Sequence, residues 1–209
     1  LVYEKSIEFY DKAIKYSKND PLPFDNKGAA LKALKKYTEA LEYFDKAIEL
    51  APHEPLSYYN KANTYKLLED YDQALNELEH ALNINDKYIN AYFSKGLILN
   101  ILGRYDEAIE NFDICIELNP NYSKAYLHKG ISLDIENKRE EALKEFENAI
   151  KIHPKFAEAY LNKGIILFKL QKYEEAIKTH DKVIQFKKDE PIAYNNKGVC
   201  LFKLKKYQE

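Results

Sequence analysis

No apolar run in this sequence approaches the length of a bilayer-crossing helix, which needs roughly 18 consecutive residues. Neither sign of charge dominates: 32 basic residues face 34 acidic ones, for a formal charge of −2. No basic tract is present to neutralise phosphates, so nucleic acid and anionic membrane are not expected as partners. The opening LVYEKSIEFY carries charges where a secretory leader needs apolar residues, and it lacks an initiator Met, as a clipped chain would. Catalytic signatures are missing too: no phosphate loop, dinucleotide glycine fingerprint, nucleophile elbow or CxxC pair. His53, His80, His128, His153 and His180 include no pair spaced to share a metal on one helix face. Glu140-Glu141 and Glu174-Glu175 sit where a helix begins, and the helix dipole accounts for them without catalysis. No enzyme activity, metal or cofactor is expected.

What the chain does contain is a period. Gly28, Gly96, Gly130, Gly164 and Gly198 recur in steps of 34 residues or a multiple, with Ala62 filling the one gap. A fixed period of that size means stacked supersecondary units rather than one globular core. Positions are counted from Pro21, Pro55, Ile89, Ser123, Ala157 and Pro191. Position 4 is then Phe24, Tyr58, Tyr92, Tyr126, Tyr160 and Tyr194, and position 11 is Leu31, Tyr65, Leu99, Leu133, Leu167 and Leu201. With position 8 they form one stripe of a helix A over roughly positions 2 to 14. Position 20 is alanine in each of the five whole repeats, position 24 is Phe44, Leu78, Phe112, Phe146 and His180, and position 27 is Ala47, Ala81, Cys115, Ala149 and Val183. These form the stripe of a helix B.

A glycine inside helix A costs about 0.5–1 kcal/mol relative to alanine, so its recurrence predicts a close approach of helix B. The remaining glycine, Gly103, falls in the turn between A and B. All seven prolines fall between a helix B and the next helix A, where helices stop or start. In such a stack, Cys115 and Cys200 stand two and a half repeats apart, too far for a disulfide. They read as small packing residues and do not fix the compartment. Asn121-Tyr122-Ser123 matches a glycosylation acceptor, a short and often fortuitous motif.

The pattern resembles the tetratricopeptide repeat over the whole chain. The resemblance implies an all-α, right-handed superhelical solenoid of stacked helix-turn-helix repeats. Residues 1–20 read as a helix B without its partner, and whole repeats follow at 21–54, 55–88, 89–122, 123–156 and 157–190. Residues 191–209 read as a sixth helix A, with Tyr207 opening the next helix. Breaks inside a repeat at both ends are expected of a fragment. The chain departs from the family at position 7, where Lys27, Lys61, Lys95, Lys129, Lys163 and Lys197 replace leucine. A lysine stem there covers apolar surface while its ammonium reaches water.

In the family, A helices line a concave groove, and the resemblance places binding residues there. Position 6 gives Asn26, Asn60, Ser94, His128, Asn162 and Asn196. Carboxamides in such a ladder hold the backbone of an extended peptide, or they are a polar position shared by duplicated units. Positions 5 and 9 add the apolar Phe93, Leu97, Leu127, Ile131, Leu161 and Ile165. These form a hydrophobic ligand surface or pack neighbouring A helices. The carboxylate clamp of chaperone-binding members maps onto Tyr59, Asn63, Ser94, Lys124 and His128. Only Asn63 and Lys124 match, so a chaperone tail is not expected. The implied function is a non-catalytic scaffold for a protein or peptide, with an enzyme's substrate-recruiting arm or a self-assembling module as alternatives. A dilute monomer is expected, with weak head-to-tail stacking of residues 191–204 on residues 3–16 at high concentration.

Overall fold

The structure, a computed structural model, describes residues 2–205. The expected helix opening at Tyr207 lies outside them. Twelve α-helices and no strand occur among the described residues. They are α1 (Val2–Tyr16), α2 (Pro21–Ala33), α3 (Tyr37–Leu50), α4 (Pro55–Leu67), α5 (Tyr71–Ile84), α6 (Ile89–Ile101), α7 (Tyr105–Leu118), α8 (Ser123–Ile135), α9 (Arg139–Ile152), α10 (Ala157–Lys169), α11 (Tyr173–Phe186) and α12 (Pro191–Lys203). Even-numbered helices are the A helices and odd-numbered ones the B helices. The chain divides into two compact units, Leu1–Ile98 and Leu99–Glu209. Within each, consecutive helices pack as antiparallel neighbours, and A helices of adjacent repeats also touch, α2 with α4 and α8 with α10 with α12.

Helix starts and stops follow from local chemistry. Pro21, Pro55 and Pro191 occupy the first position of α2, α4 and α12, where a missing N–H costs nothing. Each A helix from α2 to α10 ends in a left-handed residue at position 15: Lys35, Glu69, Gly103, Asn137 and Gln171, with φ from 61° to 74°. The N–H of the following residue reaches back to position 11, as in Lys36 N to Leu31 O at 2.9 Å and Lys138 N to Leu133 O at 2.8 Å. This double-bonded C-cap turns the chain into helix B. Glycine takes the left-handed conformation without a Cβ penalty, which accounts for Gly103.

The helix B stripe is the core. Alanine at position 20 and the residues at position 27 are wholly buried, and Phe44, Leu78, Phe112, Phe146 and His180 at position 24 are 0–1% exposed. Each large side chain there contributes roughly 1.5–3 kcal/mol by burial. Gly28, Gly130 and Gly164 face these side chains directly. A methyl group added to Gly28 would lie 2.7 Å from Phe44 Cε1, and one on Gly130 would lie 2.7 Å from Phe146 Cε1. On Gly164 it would meet the His180 ring. Ala62, the exception, faces the smaller Leu78, so the missing glycine and the missing phenyl compensate.

The position 7 lysines do more than reach water. Each ammonium pairs with a carboxylate on the helix B of the preceding repeat. Lys27 pairs with Asp11, Lys61 with Asp45 at 2.8 Å and Lys95 with Glu79. In the second unit Lys129 pairs with Asp113 at 2.6 Å, Lys163 with Glu147 at 2.8 Å and Lys197 with Asp181 at 3.1 Å. Lys61 and Lys129 also take a second carboxylate from their own repeat, Glu77 at 2.7 Å and Glu145 at 3.2 Å. Burial opposes the charge on both lysines, but these carboxylates outweigh it and raise their proton affinity.

Gly130→Leu should cost about 1–3 kcal/mol or more in a denaturant melt, because Phe146 cannot give way cheaply. The milder Gly130→Ala should also destabilise, and adding Phe146→Leu should reduce that penalty, with a coupling of about 0.5 kcal/mol or more in a double-mutant cycle. Lys61→Ala strands Glu77 in a buried site and should cost about 1–3 kcal/mol. Lys163→Ala releases only the half-exposed Glu147 and should cost about 1 kcal/mol or less.

Candidate functional site

In the first unit, the A-helix face is a polar network. Asp25 at position 5 is 6% exposed, and its carboxylate accepts from Asn60 Nδ2 at 3.0 and 3.3 Å. The amide that was expected to hold a ligand backbone is thus engaged across the repeat boundary. Asn63 donates to the Tyr59 carbonyl at 2.9 Å and accepts from Ser94 Oγ at 3.4 Å. Tyr59 meets Tyr88 edge-on, with ring centroids 5.3 Å apart. Burial, with Tyr59 and Asp25 adding to it, pushes the Tyr88 phenol up to about 12. Asn26 stands exposed on this face, while Phe93 and Leu97 are half-buried.

In the second unit the face is apolar. Leu127 was expected either to line a ligand surface or to pack neighbouring A helices; it is 1% exposed and belongs to the core cluster with Leu133, Phe146 and Ile166, so it packs and does not line an open surface. Position 5 lies about 60° around the helix from position 8, so it borders the buried stripe. The burial of Asp25 at the same position has the same cause. Ile131 is half-buried against that cluster, and Leu161 is half-buried. His128 stacks on Phe112 with ring centroids 5.9 Å apart. Burial, helped by Lys124, pushes its imidazole down to about 4, so it is neutral at physiological pH. Lys124 itself is exposed, and Asn162 Nδ2 donates to the Glu158 carbonyl of its own helix at 2.8 Å.

Two of the expected residues meet in one cavity. A pocket of about 300 Å³ lies between α10 and α12, lined by Ile165, Phe168 and Lys169 from α10, by Asn196, Val199 and Cys200 from α12, and by His180 of α11. Of these, His180 stands at position 24, where the preceding repeat has Phe146, and Cys200 at position 10, where it has Ile166. Sequence reasoning placed Ile165 and Asn196 here but missed Phe168, whose place at position 12, three residues from Ile165 on the same helix, was the available signal. His180 is wholly buried and neither ring nitrogen has a hydrogen-bond partner. Burial lowers its pKa, and Asp181 opposes that fall only in part.

Among the described residues, no group of three or more His, Cys, Asp or Glu side chains is placed to hold a metal ion, and no helix is long and apolar enough to cross a membrane.

Family models described as tetratricopeptide repeat match residues 23–87, and 89–122 with 157–189; one described as TPR repeat matches 135–171. Among curated proteins none matches. Solved structures do. YrrB, a TPR protein with an unusual peptide-binding site, is 29% identical over 90% of this chain and 97% of its own, with a TM-score of 0.71. MamA is 25% identical over 75% of this chain and 91% of its own, with a TM-score of 0.67. MamA from Desulfovibrio magneticus RS-1, at 18% identity over 82% of this chain and 97% of its own, shares the fold at a TM-score of 0.74.

An acid sensitivity follows from the half-buried His128 and the buried His180. A base whose folded pKa lies below its reference value of 6.5 binds protons better when unfolded. Its contribution to stability is present above about 6.5 and is lost as the pH falls toward 4. Melting temperature should therefore drop between pH 7 and pH 4.5. His180→Phe restores the aromatic of the other repeats and removes two orphaned nitrogens. It should stabilise the chain by about 1–3 kcal/mol and flatten that drop, as read by calorimetry across the pH range.

Proposed function

Because the chain belongs to the tetratricopeptide repeat family, we propose that it is a non-catalytic protein-interaction module whose A-helix faces hold a peptide segment of the partner. The repeats and the related scaffold proteins support an interaction role at the level of the family. The observation that carries the finer reading is the pocket between α10 and α12. At about 300 Å³ it is at the low end of ligand-binding cavities, enough for one large side chain. Its walls are mainly apolar, with Asn196, Lys169 and the His180 imidazole as its polar groups. An aliphatic or aromatic side chain of the partner fills it, and Asn196 supplies a carboxamide that both donates and accepts, as a neighbouring peptide group requires. Val199 and Phe202, 41% and 62% exposed, extend the apolar character of α12 beyond the cavity.

Peptides selected from a random library against the chain supply the probe. Val199→Asp should weaken their binding by about tenfold or more while shifting stability by only about 0.5 kcal/mol, because the side chain is exposed. Asn196→Ala should weaken it less. Leu127→Asp is the buried counterpart and should unfold its unit, since a carboxylate cannot be hydrated there. Unchanged affinity in a folded Val199→Asp variant would remove the pocket from the binding site.

A further inference from the structure

Lys32 and Lys66 combine partial burial with the lack of an ion-pair partner, whereas the other lysines without one, such as Lys35, Lys124 and Lys188, are exposed. The two occupy position 12 of α2 and α4, one repeat apart on the A-helix face of the first unit. Both are half-buried, and the Lys32 ammonium lies 5.8 Å from the ring centroid of Phe44, a wholly buried side chain. Neither lysine has an ion-pair partner among the described residues, whereas all six position 7 lysines do.

Position 12 in the second unit shows how such a site is otherwise satisfied. Asn100 accepts from Ser132 Oγ at 2.8 Å, and Asp134 pairs with Lys169 at 2.5 Å. Asp25, whose charge reaches Lys32, makes no ion pair with it and accepts from Asn60 instead. Burial lowers the proton affinity of both lysines; at Lys32 Asp25 opposes the fall and Lys66 adds to it. An ammonium held partly out of water without an ion-pair partner is stabilised by an anion brought against it, and position 12 of α2 and α4 presents two of them one repeat apart.

We propose that Lys32 and Lys66 together receive an acidic side chain of the peptide partner. This rests on the interaction role above and names the chemistry of the ligand at the first unit. The pair is distinct from the clamp frame of Tyr59, Asn63, Ser94, Lys124 and His128, none of which is a position 12 residue. The ligand segment that meets this face therefore carries Asp or Glu where it crosses from α2 to α4.

Calorimetric titration of the whole chain with acetyl-hexaglutamate amide, acetyl-hexaglutamine amide and acetyl-hexaglutamine with a free terminal carboxylate tests this. The hexaglutamate should bind, weaken as salt is raised, and lose about tenfold in affinity in Lys32→Gln and in Lys66→Gln, while Lys188→Gln leaves it unchanged. Lys66→Arg keeps the charge and should keep the binding, and thermal melts verify that each variant is folded. The proposal is overturned if wild type ignores hexaglutamate or the two glutamine variants bind it normally. It is also overturned if the two amidated peptides bind alike, or if only the free terminal carboxylate is recognised. These outcomes leave the α10–α12 pocket standing, because Val199→Asp tests that separately in the other unit.

Discussion

The contact between position 8 of helix A and position 24 of helix B is the constraint from which the rest follows. With a phenyl ring 2.7 Å from where a Cβ would sit, the two helices of a repeat can adopt only a narrow range of separations. Close approach brings the alanines at position 20 and the small residues at position 27 into full burial, and this gives every repeat the same core. Repeat 2 shows that the constraint is on volume rather than on residue type. There Ala62 and Leu78 exchange a methyl for a ring and leave the packing intact. Repeat 5 shows what happens when it is relaxed, because His180 keeps the contact with Gly164 but leaves two polar atoms unpaired.

Between repeats a second device operates. The lysine at position 7 fills a place where leucine is usual in the family, and its ammonium is tied to the carboxylate at position 25 of the preceding helix B. Exposed pairs of this kind contribute little individually, but here each lysine is largely covered and two of them hold two carboxylates. Apolar packing fixes how a helix pair forms. The lysine–carboxylate pair fixes which surfaces of successive pairs meet, since a slipped register would bury an unpaired charge.

Much of this was legible before the structure. The 34-residue period, the two stripes and the glycine contact all follow from spacing, because one helical turn returns a side chain to the same face. The lysine–carboxylate ladder was legible too, since Asp11, Asp45, Glu79, Asp113, Glu147 and Asp181 recur in step with the lysines; reading position 7 alone hid it. Leu127 stood between a ligand-surface and a packing reading for a geometric reason. A position at the border of a buried stripe is exposed on an isolated helix and covered once the neighbouring A helix arrives, and spacing within one helix says nothing about that neighbour. Asn60 and Asn63 were identifiable as polar face residues, but their partners, Asp25 and Ser94, lie in adjacent repeats. The pocket was hidden because its walls come from three helices, α10, α11 and α12, and spacing within one helix does not show where they meet.

What distinguishes the A-helix faces is that they carry groups the fold itself does not use. The B stripe is consumed by packing and the position 7 lysines by ion pairs, whereas Ile165, Val199 and Asn196 border open volume. The most direct measurement is a methyl NMR titration of the chain with a library-selected peptide. The account predicts that the resonances of Ile131, Leu161, Ile165 and Val199 move first and furthest. Shifts confined to helix B methyls such as Ile116, Ile150 and Ile184 would contradict it.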